Sequence, residues 1–185
     1  MNDLMLDVET LGNKSYSALL SIGAVEFDIN TGEIGSKFYK RIDLQSSLDV
    51  GLKVNGSTFY WWLQQSQAAR DEICKENEHI SIVIKEFYSY FRKINNPEIQ
   101  IWGNGARLDI GLLEDAYEAC GLLDLMPWKF RCERDVRTIV SIAPHVKDNY
   151  PFNGIEHHPV DDCIFQIGYT SEIWINHIKN NQHGK

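Results

Sequence analysis

The sequence predicts one α/β domain: a mixed five-stranded sheet that opens with a three-stranded antiparallel meander and carries helices packed on it. Three observations lead there. Strand-like runs separated by turn residues fill the first forty residues. Helical periodicity then alternates with two short apolar runs. No repeat, low-complexity stretch or linker divides the 185 residues, of which 43% are apolar, a normal share for a chain that buries one core.

In chain order, Leu4, Leu6 and Val8 alternate with Met5 and Asp7, the period of a strand. A second strand is expected over Ala18 to Phe27. The turn Asn30-Thr31-Gly32 leads into a third over Glu33 to Ile42, with Ile34, Phe38 and Tyr39 partly buried. Residues 43–56 read as a loop broken by Gly51 and Gly56, and Ser57 as the N-cap of a helix over Thr58–Gln65. Ile80, Val83, Ile84, Phe87 and Phe91 make one apolar stripe on a helix from Ile80 to Ile94. Ile99 to Trp102 is a short buried strand, and Asp109 to Cys120 a helix stopped by Gly121. A short strand is expected over Trp128 to Cys132 and a helix over Asp135 to Ile142. The loop 143–156, with Pro144, Pro151 and Gly154, precedes a last helix from Pro159 to Ile178. The domain is expected to occupy 1–178, with 179–185 a polar tail.

Composition narrows the function. Asp3 and Asp7 interrupt the first apolar stretch, and no apolar run reaches the roughly 20 residues of a membrane span. A soluble, cytoplasmic protein without membrane contact is expected. Cys74, Cys120, Cys132 and Cys163 form no Cys-x-x-Cys pair, so they read as reduced thiols rather than a zinc ribbon. The net charge of −8 is wrong for a protein that coats DNA. It leaves phosphate chemistry open if the acids hold cations, because the cations then supply positive charge where phosphate sits.

Three acidic features carry the chemistry. Asp7-Val8-Glu9 closes the first strand, and residues two apart on a strand share a face. Thirteen Asp and thirteen Glu would give about one such spacing by chance, so alone it also describes a solvated strand end. Asp109 follows Trp102-Gly103-Asn104-Gly105 at a helix start, where an acid also simply complements the dipole. His157 and Asp162 form the one His-x4-Asp pair in the chain. His157 lies in a loop just before the helix whose first turn holds Asp161 and Asp162; the plainer reading is a surface histidine beside a helix start. Each feature sits at a strand or helix end, where ligand sites collect in α/β sheets. Together, four carboxylates and one imidazole suit a hydrolase using two divalent ions, and oxygen ligands favour Mg²⁺ or Mn²⁺ over zinc.

At these residues the chain resembles the DEDDh superfamily of exonucleases. Leu6-Asp7-Val8-Glu9-Thr10-Leu11-Gly12 is similar to its first motif, Trp102 through Asp109 to its second, and His157 through Asp162 to its third. Thr58-Phe59-Tyr60-Trp61-Trp62, the Gly103-Asn104-Gly105 turn and Arg134-Asp135-Val136-Arg137-Thr138 resemble a phage and prophage subgroup containing exodeoxyribonucleases and a 3′–5′ exoribonuclease. The resemblance implies an RNase H-like fold and metal-dependent 3′→5′ hydrolysis from a free 3′ end, with DNA slightly favoured over RNA. It implies that Asp7, Glu9 and Asp162 hold one Mg²⁺ or Mn²⁺, that Asp7 and Asp109 serve a second, and that His157 is the general base. Pro159 stands where a small residue is usual, and His158 offers a rival imidazole without the family spacing to Asp162. Since some relatives are dimers, a homodimer is a further expectation.

Six residues are candidates for substrate contact: Thr10, Leu11, Trp61, Trp62, Asn104 and Arg137. Neighbouring helical residues point about 100° apart, so one of Trp61 and Trp62 packs inward while the other is free to stack on a base, unless both only pack. Lys129, Arg131, Arg134 and Arg137 form the densest basic stretch, either touching phosphate or salt-bridged on the surface, and Asp135 and Arg137 are a candidate structural pair. The competing classes are a catalytically inactive nucleic-acid-binding module of the same fold, an RNase H-type endonuclease, and a haloacid-dehalogenase-like phosphatase. The last normally starts Asp-x-Asp, where this chain has Glu9.

Overall fold

A computed structural model describes residues 1–75 and 77–179; most of the expected tail lies outside the described residues. Five strands, β1 (Asp3–Thr10), β2 (Leu19–Asp28), β3 (Glu33–Arg41), β4 (Gln100–Gly103) and β5 (Glu133–Asp135), form one sheet in the order β3-β2-β1-β4-β5. β1, β2 and β3 are the antiparallel meander, and β4 and β5 run parallel to β1.

The period of two in β1 sorts the chain into two cores. Leu4, Leu6 and Val8 face one side, against α4 (Ile80–Ile94) and α5 (Ala106–Ala119). Met5 faces the other, against Val25, Phe27, Trp102 and α8 (Pro159–Ile173). Asp7 and Glu9 continue the Met5 row, so both lie on the α8 side at the carboxyl end of β1. α8 comes close because β2 carries Gly23 opposite Asp7. A Cβ there would lie 2.7 Å from two carbons of Pro159 and 2.9 Å from the Val160 nitrogen. Gly103 does the same for α5: a Cβ would stand 3.2 Å from Ala106 Cα and from Asp109 Cβ.

The structure departs from expectation at several ends. The segment 43–56 contains a short helix, α1 (Leu44–Asp49), because the Asp43 carboxylate accepts from the Ser46 amide. α2 spans Gly56–Leu63, and its N-cap is Asn55 rather than Ser57: Asn55 Oδ1 accepts from the Ser57 and Thr58 amides. α3 (Gln67–Ile73) follows, capped by Ser66. α5 starts three residues before Asp109, which sits inside its first turn. The expected strand at 128–132 is not one. Trp128 turns into the core against Phe87 and Tyr117, Phe130–Cys132 is a 3₁₀ turn, and the strand is the three residues after it. α6 is shorter than expected (Val136–Val140, with Asp135 as its N-cap), and a further helix, α7 (Pro144–Asn149), occupies part of the expected loop. The last helix passes from α to π geometry at Trp174. No helix among the described residues is long and apolar enough to cross a membrane.

Candidate active site

Three chain segments bring the acids together at the carboxyl ends of β1 and β4. Asp7 and Glu9 come from β1, Asp109 from the first turn of α5, and Asp162 from the first turn of α8. The four line a cleft of about 330 Å³ with Asn104, Arg137 and His157. Ligand atoms of Glu9, His157 and Asp162 lie within 4.8 Å of one another.

The placement of Asp109 and Asp162 follows from local sequence. Gly105 adopts φ +102°, a conformation open to glycine, and turns the chain from β4 into α5. The Asp135 carboxylate anchors that turn, accepting from the Ala106 amide at 2.8 Å and from the Thr138 amide at 3.0 Å. Asp135 therefore pairs with backbone, and its expected pairing with Arg137 does not occur. Pro159 opens α8 at a position where its missing N–H costs nothing. Asp161 accepts from the Ile155 amide at 2.9 Å and ties down the loop that carries His157.

The cluster is electrostatically incomplete. Burial, then the charge of Asp109, push Asp7 up to about 8, against a hydrogen bond from Gln166. Burial, with Asp7, Asp162 and Asp109 behind it, raises Glu9 well above its ordinary value. Asp109 rises to about 7 through burial, opposed by backbone hydrogen bonds and by Arg137. Asp162 rises to about 7 through burial and the charge of Asp7. Among the described residues none of the four has an ion-pair partner. Close carboxylates of like charge cannot all ionise in a desolvated cleft unless cations join them. A donor set of carboxylate oxygens beside one imidazole is one that fits divalent ions. His157, in contrast, is lowered by burial, with Glu156 opposing; it is the neutral imidazole a proton acceptor needs.

Of the two imidazoles, His157 lines the cleft. The His158 ring stacks on Tyr39 at 4.5 Å, with Nδ1 3.7 Å from Asp161.

The substrate candidates divide. Asn104 and Arg137 line the cleft; Thr10, Leu11, Trp61 and Trp62 do not. Leu11 is buried in a small core with Leu20, Trp62 and Ala69. Trp62 is 2% exposed, and its indole donates to the Thr10 carbonyl at 2.9 Å. Neither of these two side chains has a face to offer a base. Thr10 spends its hydroxyl on the Gly12 carbonyl. Trp61 is 42% exposed but packs against His157. In the basic stretch Lys129 and Arg131 bind Glu98, and Arg134 donates to backbone carbonyls, which leaves Arg137 at the cleft.

Sequence reading missed several lining residues. Gln166 donates to Asp7 Oδ1 at 3.0 Å, and Tyr169 and Phe165 form a wall beside it. Asp162, Gln166 and Tyr169 are spaced i, i+4, i+7, so the helical period from Asp162 was the available signal. Lys147, from α7, also lines the cleft, its ammonium 6.0 Å from the centre of the Tyr169 ring.

A family profile over nearly the whole chain and a phage relative place it in the class of 3′→5′ exonucleases acting on DNA or RNA. The chain belongs to the 3′-5′ exoribonuclease Rv2179c-like domain family, whose profile matches residues 2–174. An exodeoxyribonuclease of Enterobacteria phage T4 is 29% identical over 170 residues, covering 80% of this chain and 74% of that protein. Two solved structures share the fold. E. coli exonuclease I with a dT13 oligonucleotide has a TM-score of 0.66 at 16% identity, covering 97% of this chain and 42% of the larger one. A 3′-exonuclease that recognises a histone mRNA stem-loop has a TM-score of 0.59 at 9% identity, covering 98% and 81%.

Proposed function

We propose that this cleft removes nucleotides singly from a nucleic-acid strand with a free 3′ end, with two Mg²⁺ or Mn²⁺ ions held by Asp7, Glu9 and Asp162 on one side and by Asp7 and Asp109 on the other. The observation that carries this reading is the meeting of four unpaired, partly or fully buried carboxylates in one cleft with a neutral imidazole beside them. Bound ions would clamp the attacking and leaving oxygens of the phosphodiester. His157 accepts the proton of the attacking water and, being neutral near pH 7, needs no prior deprotonation. Gln166 holds one oxygen of Asp7 and so fixes how the carboxylate faces the cleft. Arg137 and Lys147 supply positive charge at the cleft wall for the phosphate backbone. Asn104 offers an amide for the same strand. The domain is read as residues 1–178, in the cytoplasm, with a second copy as its partner in a homodimer.

A second reading has one specific observation behind it. Glu9, His157 and Asp162 place ligand atoms within 4.8 Å of one another, a set in which His157 would bind an ion instead of a proton. Metal affinity separates the two: His157→Ala keeps full Mn²⁺ affinity if the imidazole is a base and weakens it if the imidazole is a ligand.

The primary test uses matched single-stranded DNA and RNA oligonucleotides labelled at the 5′ end, with Mg²⁺, Mn²⁺ or chelator, on wild type and Asp7→Ala. The expected result is a metal-dependent ladder shortening from the 3′ end and absent in the variant. The relative rates on the two sugars assign the substrate. Binding of the oligonucleotide without a ladder under any metal would instead identify an inactive binding module.

A further inference from the structure

His157 is the one member of the cluster held by neither strand nor helix. It lies in the loop before α8 with φ +64°, a conformation uncommon for a side chain-bearing residue. Catalytic bases are ordinarily oriented by a third group that hydrogen-bonds the far side of the ring. Among the described residues no hydrogen bond reaches this ring. Beside the Glu9 and Asp162 carboxylates, within 4.8 Å but not hydrogen-bonded to it, its ring contacts are two indoles, both edge-to-face. Trp61 lies 4.8 Å away between ring centroids at 71°, and Trp62 5.8 Å away at 73°. The indoles brace each other at 5.3 Å and 79°.

This aromatic bracket is fixed at two points, to the last residue of the acid-bearing strand and to the residue after it. The Asn55 amide, at the cap of α2, donates to the Leu11 carbonyl at 2.7 Å. The Trp62 indole, near the other end of the helix, donates to the Thr10 carbonyl at 2.9 Å. Thr10 directly follows Glu9, so α2 is registered to the end of β1 and in turn sets where the His157 ring stands. The tryptophans also differ in what they can do. Trp62 is core, while Trp61 is 42% exposed and so contributes less to stability.

We propose that Trp61 is a positioning residue for the reaction, acting through His157: its ring supplies the orientation that a hydrogen-bonded third group supplies elsewhere. This rests on the reading of His157 as the base. It also reassigns Trp61 from a base-stacking surface to part of the machinery that holds the proton acceptor, and the two roles separate kinetically. A stacking ring binds substrate and appears in KM, whereas a positioning ring appears in kcat.

The test measures kcat and KM on the preferred single-stranded oligonucleotide for Trp61→Leu, Trp61→Phe, His157→Ala and the double variant Trp61→Leu/His157→Ala. Trp61→Leu keeps apolar bulk without an aromatic face; Trp61→Phe restores the face. The expected result is a fall in kcat of roughly ten- to a hundredfold for Trp61→Leu at unchanged KM, with most of the rate restored in Trp61→Phe. The double variant is expected to be no slower than His157→Ala, because the ring works only through the imidazole. A raised KM at wild-type kcat overturns the proposal in favour of stacking on substrate. Losses that multiply in the double variant overturn it in favour of an independent role, and Trp61→Leu at wild-type rate overturns it outright. If His157→Ala is itself as fast as wild type, the base assignment falls and the positioning role falls with it. A slow His157→Ala beside an unimpaired Trp61→Leu removes the positioning role alone.

Discussion

Two buried carboxylates show what the acid cluster is for. Glu72, on α3, and Asp109, on α5, are almost equally hidden, at 5% and 4% exposed. Burial raises both, more strongly at Asp109, which lies deeper, and only Glu72 is compensated by cations. It accepts from Arg41 at 2.8 Å and from the Tyr39 hydroxyl at 2.7 Å, and it pairs with Lys75. These partners outweigh burial and bring it down to about 2. Asp109 faces Asp7, Glu9 and Asp162, with no ion pair among the described residues, and rises to about 7. At Glu72 the chain itself supplies the cations that a buried carboxylate needs to stay ionised. The cleft acids have no ion pair among the described residues, and Arg137 offsets only part of the rise at Asp109, so most of their charge is left for something that binds. The difference separates a closed ion network from a cleft in which four uncompensated carboxylates meet.

The sharpest way to break this comparison is to neutralise one acid on the unpaired side. Asp7→Asn keeps shape and removes charge. Hydrolysis is expected to fall to the level seen with chelator, while the metal-free protein melts higher and loses its stabilisation by Mn²⁺. Retention of most activity with normal metal response would show that Asp7 is not part of the site. The next largest effect is geometric. Gly23→Val pushes a side chain into the backbone of Pro159 and Val160, which costs about 1–3 kcal/mol by overpacking. It also shifts α8, and so Asp162, away from β1. Loss of Mn²⁺ affinity beyond what the stability change explains is the expected signature, read by calorimetric titration of a still-folded variant.

Where the sequence was readable, a short-range rule governed the outcome. The alternation of Leu4, Leu6 and Val8 fixes which face Asp7 and Glu9 share, and the stripe from Ile80 to Phe91 gives α4 its ends without correction. Asn55 went unseen as a cap because Ser57 has equal propensity; the choice is made by the Asn55 amide meeting the Leu11 carbonyl. β5 is three residues, all of them charged (Glu133, Arg134 and Asp135), so no apolar pattern marks it. Trp128, which looked like a strand residue, belongs to the core beneath α4 and α5. Gln166 and Lys147 escaped for a different reason. Their roles depend on which neighbours α7 and α8 bring them to: Gln166 was signalled only by its i+4 spacing from Asp162, and nothing in the type or local spacing of Lys147 announces an acid across the cleft.

The comparison also predicts opposite pH limbs. Asp7, Asp109 and Asp162 have folded values of about 8, 7 and 7 against an ordinary 3.8. The folded state therefore binds protons more tightly than the unfolded state. The stability these groups contribute is complete below the ordinary value and is lost as pH rises through 7 to 8. Metal-free protein is expected to melt progressively lower between pH 5 and pH 8. A fall of about 5 °C or more is expected, since about 2–4 °C corresponds to 1 kcal/mol in a domain of this size. Saturating Mn²⁺ should flatten the slope, because bound cations replace the protons. A metal-free melting curve independent of pH over this range would mean that the cluster is already compensated.

The smallest effect belongs to the compensated side. Glu72→Gln leaves Arg41, Tyr39 and Lys75 facing a neutral amide, and the loss of charged hydrogen bonds at a buried position costs about 1–3 kcal/mol. Activity and Mn²⁺ affinity are expected to hold, since Glu72 does not line the cleft. The sign of its pH dependence is the reverse of the cluster's. Glu72 is lowered, so its contribution is present above the ordinary carboxylate value of 4.5 and disappears as pH falls through about 2. The difference in stability between wild type and Glu72→Gln should therefore be constant from pH 5 to pH 8, the interval in which the metal-free cleft loses stability, and should shrink only in acid. Denaturant melts at pH 3, 5 and 8 read this directly. A wild-type advantage that grows or vanishes between pH 5 and pH 8 would mean that the network and the cleft titrate as one system, and the contrast between a closed ion network and an open one would fail.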